Sequence, residues 1–208
     1  NTHSLEEIQS VIESANINFL IGAGMSKPYL DCLENIENLL TFLEENNIEV
    51  IIFKISEGKT RCDFRGYDVI GFSMPSSATY DVIKEARFTS FYSGNPTIAV
   101  GGVHPSFYPK ETLIDLAADV VAIGSGEKTI VEIVRAHSTK NFSQISGVCF
   151  VDGQSVVVTS PRIIEKSLDS FPLPARHLID ESDFIMSNRL ASTDIRMAHI
   201  LLSRGCPF

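Results

Sequence analysis

Pro96-Thr97-Ile98-Ala99-Val100-Gly101-Gly102 and Val120-Val121-Ala122-Ile123-Gly124-Ser125-Gly126 both read as short strands running into glycine. Each is a short, branched apolar run that stops on glycine. A strand apolar at every position is buried on both faces, as in a parallel sheet. Parallel neighbours need a crossover connection, which is usually a helix. The segments behind both runs supply one. Leu113, Leu116 and Ala117 recur at helical spacing within 109–117, as do Ile130, Ile133 and Val134 within 127–136.

The same alternation extends upstream. Tyr67-Asp68-Val69-Ile70-Gly71-Phe72-Ser73 reads as a strand, and residues 79–92 as a helix with Val82, Ile83 and Ala86 inward. Val50-Ile51-Ile52-Phe53 reads as a buried parallel strand. Before it, Leu33, Ile36, Leu39, Leu40 and Leu43 give a helix closed by Asn46-Asn47. Asn18-Phe19-Leu20-Ile21 reads as a strand running into Gly22-Ala23-Gly24. Ser4 and Glu7 form a capping box for a helix over 4–15. Five strands alternating with helices predict an α/β fold, a flavodoxin-like, Rossmann-like, doubly wound parallel sheet over residues 17–140.

After residue 140 the pattern changes. Gly147-Val148-Cys149-Phe150-Val151 and Ser155-Val156-Val157-Val158-Thr159 flank Asp152-Gly153, which predicts a β-hairpin with a type I′ turn. Pro161, Pro172 and Pro174 mark an irregular connector with one short helix. The expected organisation is an N-terminal helix (1–16), the α/β domain (17–140), an appended hairpin and linker (141–199), and the start of a further domain (200–208).

Composition narrows the function classes. The chain has 208 residues, with 17 Lys and Arg against 26 Asp and Glu, a net charge of −9. That balance argues against a nucleic-acid partner, since phosphate binding needs a basic surface. No apolar run approaches the roughly 20 residues that span a bilayer, so no membrane partner is expected. The first residues lack the basic and apolar regions of a secretory signal. Cys32, Cys62, Cys149 and Cys206 are far apart with no CxxC, so the expected compartment is cytoplasmic. His3, His137, His177 and His199 have no partners at metal-ligand spacing.

Ligands of open parallel sheets bind beyond the carboxyl ends of the strands. Ser73-Met74-Pro75-Ser76-Ser77, Gly101-Gly102-Val103-His104-Pro105 and Gly124-Ser125-Gly126-Glu127 are expected there, with Gly22-Ala23-Gly24 after the first strand. Glycines admit a ligand close to the backbone and serines supply donors. A glycine after a strand also simply makes a turn, and Glu127 also suits the start of a helix. The candidate binding residues are Ser73, Met74, Ser76, Gly101, Gly102, Val103, His104, Gly124, Ser125, Gly126 and Glu127. No catalytic set such as GxSxG and no GxxxxGK[ST] is present.

From about residue 48 onward, the strand at 67–73, Val100-Gly101-Gly102-Val103-His104-Pro105 and the stretch from Val121 to Thr129 resemble the N-terminal part of cobalamin-dependent radical S-adenosylmethionine enzymes. Ser125 stands where that family commonly has Glu. Leu168-Asp169-Ser170-Phe171-Pro172 resembles the family's interdomain linker, and Ser203-Arg204-Gly205-Cys206-Pro207-Phe208 its radical domain. The resemblance implies a cobalamin-binding domain of the methyl-transfer or oxidative-cyclisation class. Cys206 would be the first cysteine of a CxxxCxxC motif. The [4Fe-4S] cluster and S-adenosylmethionine then belong to a full-length relative, and the radical domain is missing from these 208 residues, which are not expected to catalyse alone. The DxHxxG motif that gives cobalt a His ligand is absent. Residues 18–30 also resemble the opening of sirtuin-like NAD-binding domains, which leaves NAD at Gly22 and Gly24 as the alternative.

Overall fold

A computed structural model describes residues 16–21, 30–55, 60–75, 77–163, 169, 171–178, 185–188 and 193–196. The helix expected over 4–15, the Gly22-Ala23-Gly24 loop, Ser76 and Cys206 lie outside the described residues.

The chain runs β1 (Asn16–Ile21), α1 (Leu30–Glu45), β2 (Glu49–Lys54), β3 (Asp63–Phe64) and β4 (Val69–Ser73). It continues through α2 (Tyr80–Thr89), β5 (Phe91–Tyr92), β6 (Thr97–Gly101), α3 (Val103–Phe107), α4 (Pro109–Asp115), β7 (Val120–Ala122) and α5 (Glu127–Arg135). β8 (Val148–Asp152), β9 (Ser155–Val158), β10 (Ile185–Asn188) and β11 (Thr193–Arg196) follow. The main sheet has the order β2-β1-β4-β6-β7-β8-β9, and its first five strands are parallel. Counted among themselves, those five give the 2-1-3-4-5 order of flavodoxin-like folds. Residues 16–54 are therefore the strand–helix–strand opening of this sheet.

The sheet is covered on both faces. Leu40, Leu43, Ile130, Ile133 and Val134 of α1 and α5 pack with Val69, Ala99 and Val120 on one side. Ile83, Ala86, Leu113 and Leu116 pack with Ile70, Phe72, Ile98, Val100 and Val121 on the other. Alternate residues of each strand thus serve opposite layers, as the pleat requires. α1 ends where the sequence predicts, with Asn47 at φ 55° and the Ile48 amide donating to the Leu43 carbonyl.

Tertiary contacts override local expectation at several points. The helix expected to reach residue 92 ends at Thr89, because Ser90 is extended and Phe91 pairs with Asp63 in the small β3–β5 sheet. β2 is parallel as expected, but it is an edge strand with Ile51 41 % exposed. The hairpin does not stand apart: β8 pairs antiparallel with β7 and carries the sheet onward. Asp152 faces Ser155, so Gly153 and Gln154 make the turn, one residue later than predicted. Only Gly153 has positive φ (59°), the φ signature of a type II′ rather than a type I′ turn. Beyond the hairpin come a short helical turn at Arg176–Leu178 and the antiparallel pair β10–β11. Among the described residues no helix is long and apolar enough to cross a membrane.

Candidate functional site

A cleft of about 470 Å³ opens at the carboxyl ends of β4, β6 and β7. That lies within the roughly 300–1,000 Å³ usual for small-molecule sites. Its wall on the sheet side is built from small residues at alternate positions: Gly71 and Ser73 on β4, Ala99 and Gly101 on β6, and Ala122 on β7. Leu39 of α1 and Ile130 and Ile133 of α5 close the opposite wall. The intervening Phe72 and Val100 also border the cleft, but with Val121 they belong to the core on the other face. The cavity thus follows from a two-residue period of small and large side chains.

The loops that leave these strands form the mouth. Gly101, Gly102, Val103, Gly124, Ser125, Gly126 and Glu127, all expected from sequence, line it. Gly124 has φ 76° and open space where a side chain would begin. Gly102 is glycine for a different reason. Its φ is 120°, and a Cβ would stand 2.3 Å from the Met74 carbonyl oxygen. Its missing side chain therefore serves the packing of two loops before it serves any ligand. Glu127 is 5 % exposed at the first turn of α5, and Thr129 Oγ1 donates to the Ser125 carbonyl at 3.2 Å.

Met74 and His104 stand behind the mouth. The Met74 amide donates to the Gly101 carbonyl at 2.7 Å, and its side chain is fully buried with Phe72 and Ile83. The His104 amide donates to the Met74 carbonyl at 3.4 Å. His104, expected only in the segment beyond a strand's carboxyl end, lies in the short helix α3. Five residues containing Pro105 give too little periodicity to announce a helix. Its ring sits between Tyr80 and Tyr108, at 5.3 Å and 5.2 Å between centroids. The lining contains no imidazole and no thiol among the described residues.

Sequence reasoning missed Ser106, Phe107 and, inside the cleft, Gly71, Ala99 and Ala122. Ser106 Oγ donates to the Gly102 carbonyl at 2.7 Å and accepts from the Gly124 amide at 3.0 Å. Phe107 is 76 % exposed at the rim beside Val103. The signal for the cleft was present as Gly71-x-Ser73 and Ala99-x-Gly101, a small-residue repeat of period two. Elsewhere, Cys62 and Cys149 are free, and burial pushes both thiols up, away from the reactive thiolate. Among the described residues no group of three or more His, Cys, Asp or Glu is placed to hold a metal ion.

Comparison with known proteins identifies this architecture. Residues 35–134 match the model of the B12 binding domain family, a span that contains every residue lining the cleft. The chain is 27 % identical over 143 residues to an uncharacterized methyltransferase of Pyrococcus horikoshii, covering 68 % of this chain and 30 % of the relative. It is 29 % identical over 119 residues to the anaerobic magnesium-protoporphyrin IX monomethyl ester cyclase of Cereibacter sphaeroides, covering 55 % and 19 %. The 208 residues thus span less than a third of either relative's length. Among solved structures, the fold is shared with the radical S-adenosylmethionine methyltransferase TsrM from Kitasatospora setae, with cobalamin and a [4Fe-4S] cluster bound. The TM-score is 0.55 at 15 % identity, over 81 % of this chain and 34 % of that one. The cobalamin-dependent S-adenosylmethionine radical enzyme OxsB gives 0.55 at 17 %, over 83 % and 25 %. None of these relatives is a sirtuin, and the matched model begins downstream of Gly22 and Gly24. The part of the chain that carries the cleft, residues 35–134, is thus similar to a B12 binding domain.

Proposed function

We propose that the cleft above β4, β6 and β7 binds cobalamin, and that the chain is the cobalamin-binding part of a radical S-adenosylmethionine enzyme of the methyl-transfer or cyclisation class. The observation that carries the reading is the small-residue cleft itself, which opens at a mouth where Gly124 has open space in place of a side chain. The residues present fit such a group. Gly124 lets a broad ring approach the backbone, and Gly101 and Gly126 line the cleft without side chains of their own. Ser73 and Ser125 supply hydroxyls, and Glu127 a carboxylate that accepts from amide N–H groups of the kind that rim a corrin. Val103 and Phe107 offer apolar contact at the open side. Met74 and His104 hold the loops from behind. Ser76 completes the proposed set from the β4 loop.

Bound cobalamin supplies a cobalt centre able to carry a methyl group or an electron. The protein's part is to seat the periphery of the ring and to keep one side of it dry. With hydroxyls, one carboxylate and apolar groups in the lining, this chain contacts the macrocycle rather than the metal. The two relatives named as a methyltransferase and a cyclase support the enzyme class. Cys206 is then the first of the cluster cysteines, and S-adenosylmethionine the co-substrate, in the whole protein.

Equilibrium dialysis of the 208-residue chain against hydroxocobalamin, with NAD as comparator, tests the reading. Retention of red cobalamin absorbance at about one equivalent is expected. Retention of NAD and not of cobalamin overturns it.

A further inference from the structure

We propose that Ser106 is a latch that fixes the loop after β7 to the loop after β6 before ligand arrives. The inference rests on the cobalamin reading of the cleft. The loops of β4 and β6 are already joined by backbone, through the Met74 amide to Gly101 and the His104 amide to Met74. The join from the β6 loop to the β7 loop runs through a side chain. Ser106 lies on α3 four residues after Gly102. Its Oγ donates to the Gly102 carbonyl at 2.7 Å and accepts from the Gly124 amide at 3.0 Å. A hydroxyl is suited to this because it donates one hydrogen bond and accepts others at the same atom. The bond to the carbonyl four residues back fixes the rotamer, which then aims a lone pair at Gly124.

Both ends of the latch are glycines in the left-handed half of backbone space, at φ 120° for Gly102 and 76° for Gly124. Such residues lose more conformational freedom on ordering than any other type. A β7 loop free to move would be ordered by the ligand at a cost in affinity, whereas a latched loop has met that cost during folding. Ser106 also lines the cleft, so the latch sits where the ligand would feel its loss. Ser106 is a positioning residue: its effect on the ligand runs through Gly124 and its neighbours Ser125 and Gly126.

The test compares the 208-residue chain with Ser106→Ala and Ser106→Thr. Threonine keeps the hydroxyl and its bond to the carbonyl four residues back. Two readouts are taken: amide hydrogen exchange at Gly124 without ligand, and the dissociation constant for hydroxocobalamin. Ser106→Ala is expected to speed Gly124 exchange and to weaken binding by roughly tenfold, the scale of a lost hydrogen bond or two. Ser106→Thr is expected to restore both. Unchanged affinity in Ser106→Ala overturns the proposal, as does Gly124 exchange that does not respond. Weakening that threonine fails to rescue also overturns it, since that marks a packing role. Failure of the unaltered chain to bind hydroxocobalamin overturns the cobalamin reading instead, and Gly124 exchange still decides the latch.

Discussion

On the carboxyl halves of β4, β6 and β7, the positions turned toward α1 and α5 are Gly71, Ser73, Ala99, Gly101 and Ala122, whereas those turned toward α2 and α4 are Phe72, Val100 and Val121. The same three strands therefore build a cleft on one face and a close-packed layer on the other. Large residues on one side anchor the strands, so small ones on the other can leave space without collapse. Apolar burial scales with area, and the layer of Phe72, Ile83, Leu113 and Val121 supplies it where the cleft face does not. Stability and cavity space are separated by the pleat.

Substitution on the filled face should damage stability and spare the site. Leu113 is 1 % exposed on α4 and takes no part in the cleft. Leu113→Ala is expected to cost about 2–5 kcal/mol, read from denaturant unfolding. Its hydroxocobalamin affinity, measured where the variant is folded, should match that of the unaltered chain. A large loss of affinity at small cost in stability would break the separation between the faces.

The converse substitution works on the cleft face. Ala122→Leu adds bulk between β7 and the α5 wall, where Ala122 and Ile130 both line the cavity. Hydroxocobalamin binding is expected to weaken by at least about tenfold, while the cost in stability stays within the roughly 1–3 kcal/mol of overpacking. Dialysis and thermal melting on the same preparation check it. Undiminished binding would move the ligand out of the cleft.

The smallest effect expected is a pH dependence confined to the filled face. The Tyr80 hydroxyl on α2 donates to Asp115 on α4 at 2.5 Å. Burial, and then this hydrogen bond, push the Tyr80 phenol up to about 12. A group whose folded pKa is raised above its unfolded value stabilises the fold below the unfolded pKa, here about 10. That contribution is lost as pH rises through about 12. Because the pair is partly exposed, the loss should lower the thermal midpoint by only about two degrees between these limits. Tyr80→Phe should abolish this increment of alkaline sensitivity. An equal drop in both proteins would show that the Tyr80–Asp115 contact does not couple the two helices.

Much of this molecule was legible locally. The apolar runs that end on Gly101-Gly102 and Gly124-Ser125-Gly126 announce parallel strands and the loops at their carboxyl edge, because strand burial and glycine turns are properties of neighbouring residues. The seven loop residues from Gly101 to Glu127 that line the mouth were found in that way. Gly102 shows the limit of the method. Its glycine pointed to a ligand, yet what excludes a side chain is the Met74 backbone from another loop. Ser106 and Phe107 were lost because a five-residue helix containing a proline carries no readable period. Phe91 was lost to the helix reading because its partner, Asp63, lies 28 residues earlier in the chain.

The alternation of strand and helix, the glycine-ended loops and the acidic balance follow from residue type and spacing along the chain alone. Which face of β4, β6 and β7 received α1 and α5 was decided by the tertiary structure. Gly71-x-Ser73 and Ala99-x-Gly101 are only weak points of isolated strands. They become a cleft once the crossovers lay α1 and α5 over them, with Leu39 and Ile130 standing opposite. The join through Ser106 likewise exists only in three dimensions, because it connects residues 18 apart that the parallel pairing of β6 and β7 brings together.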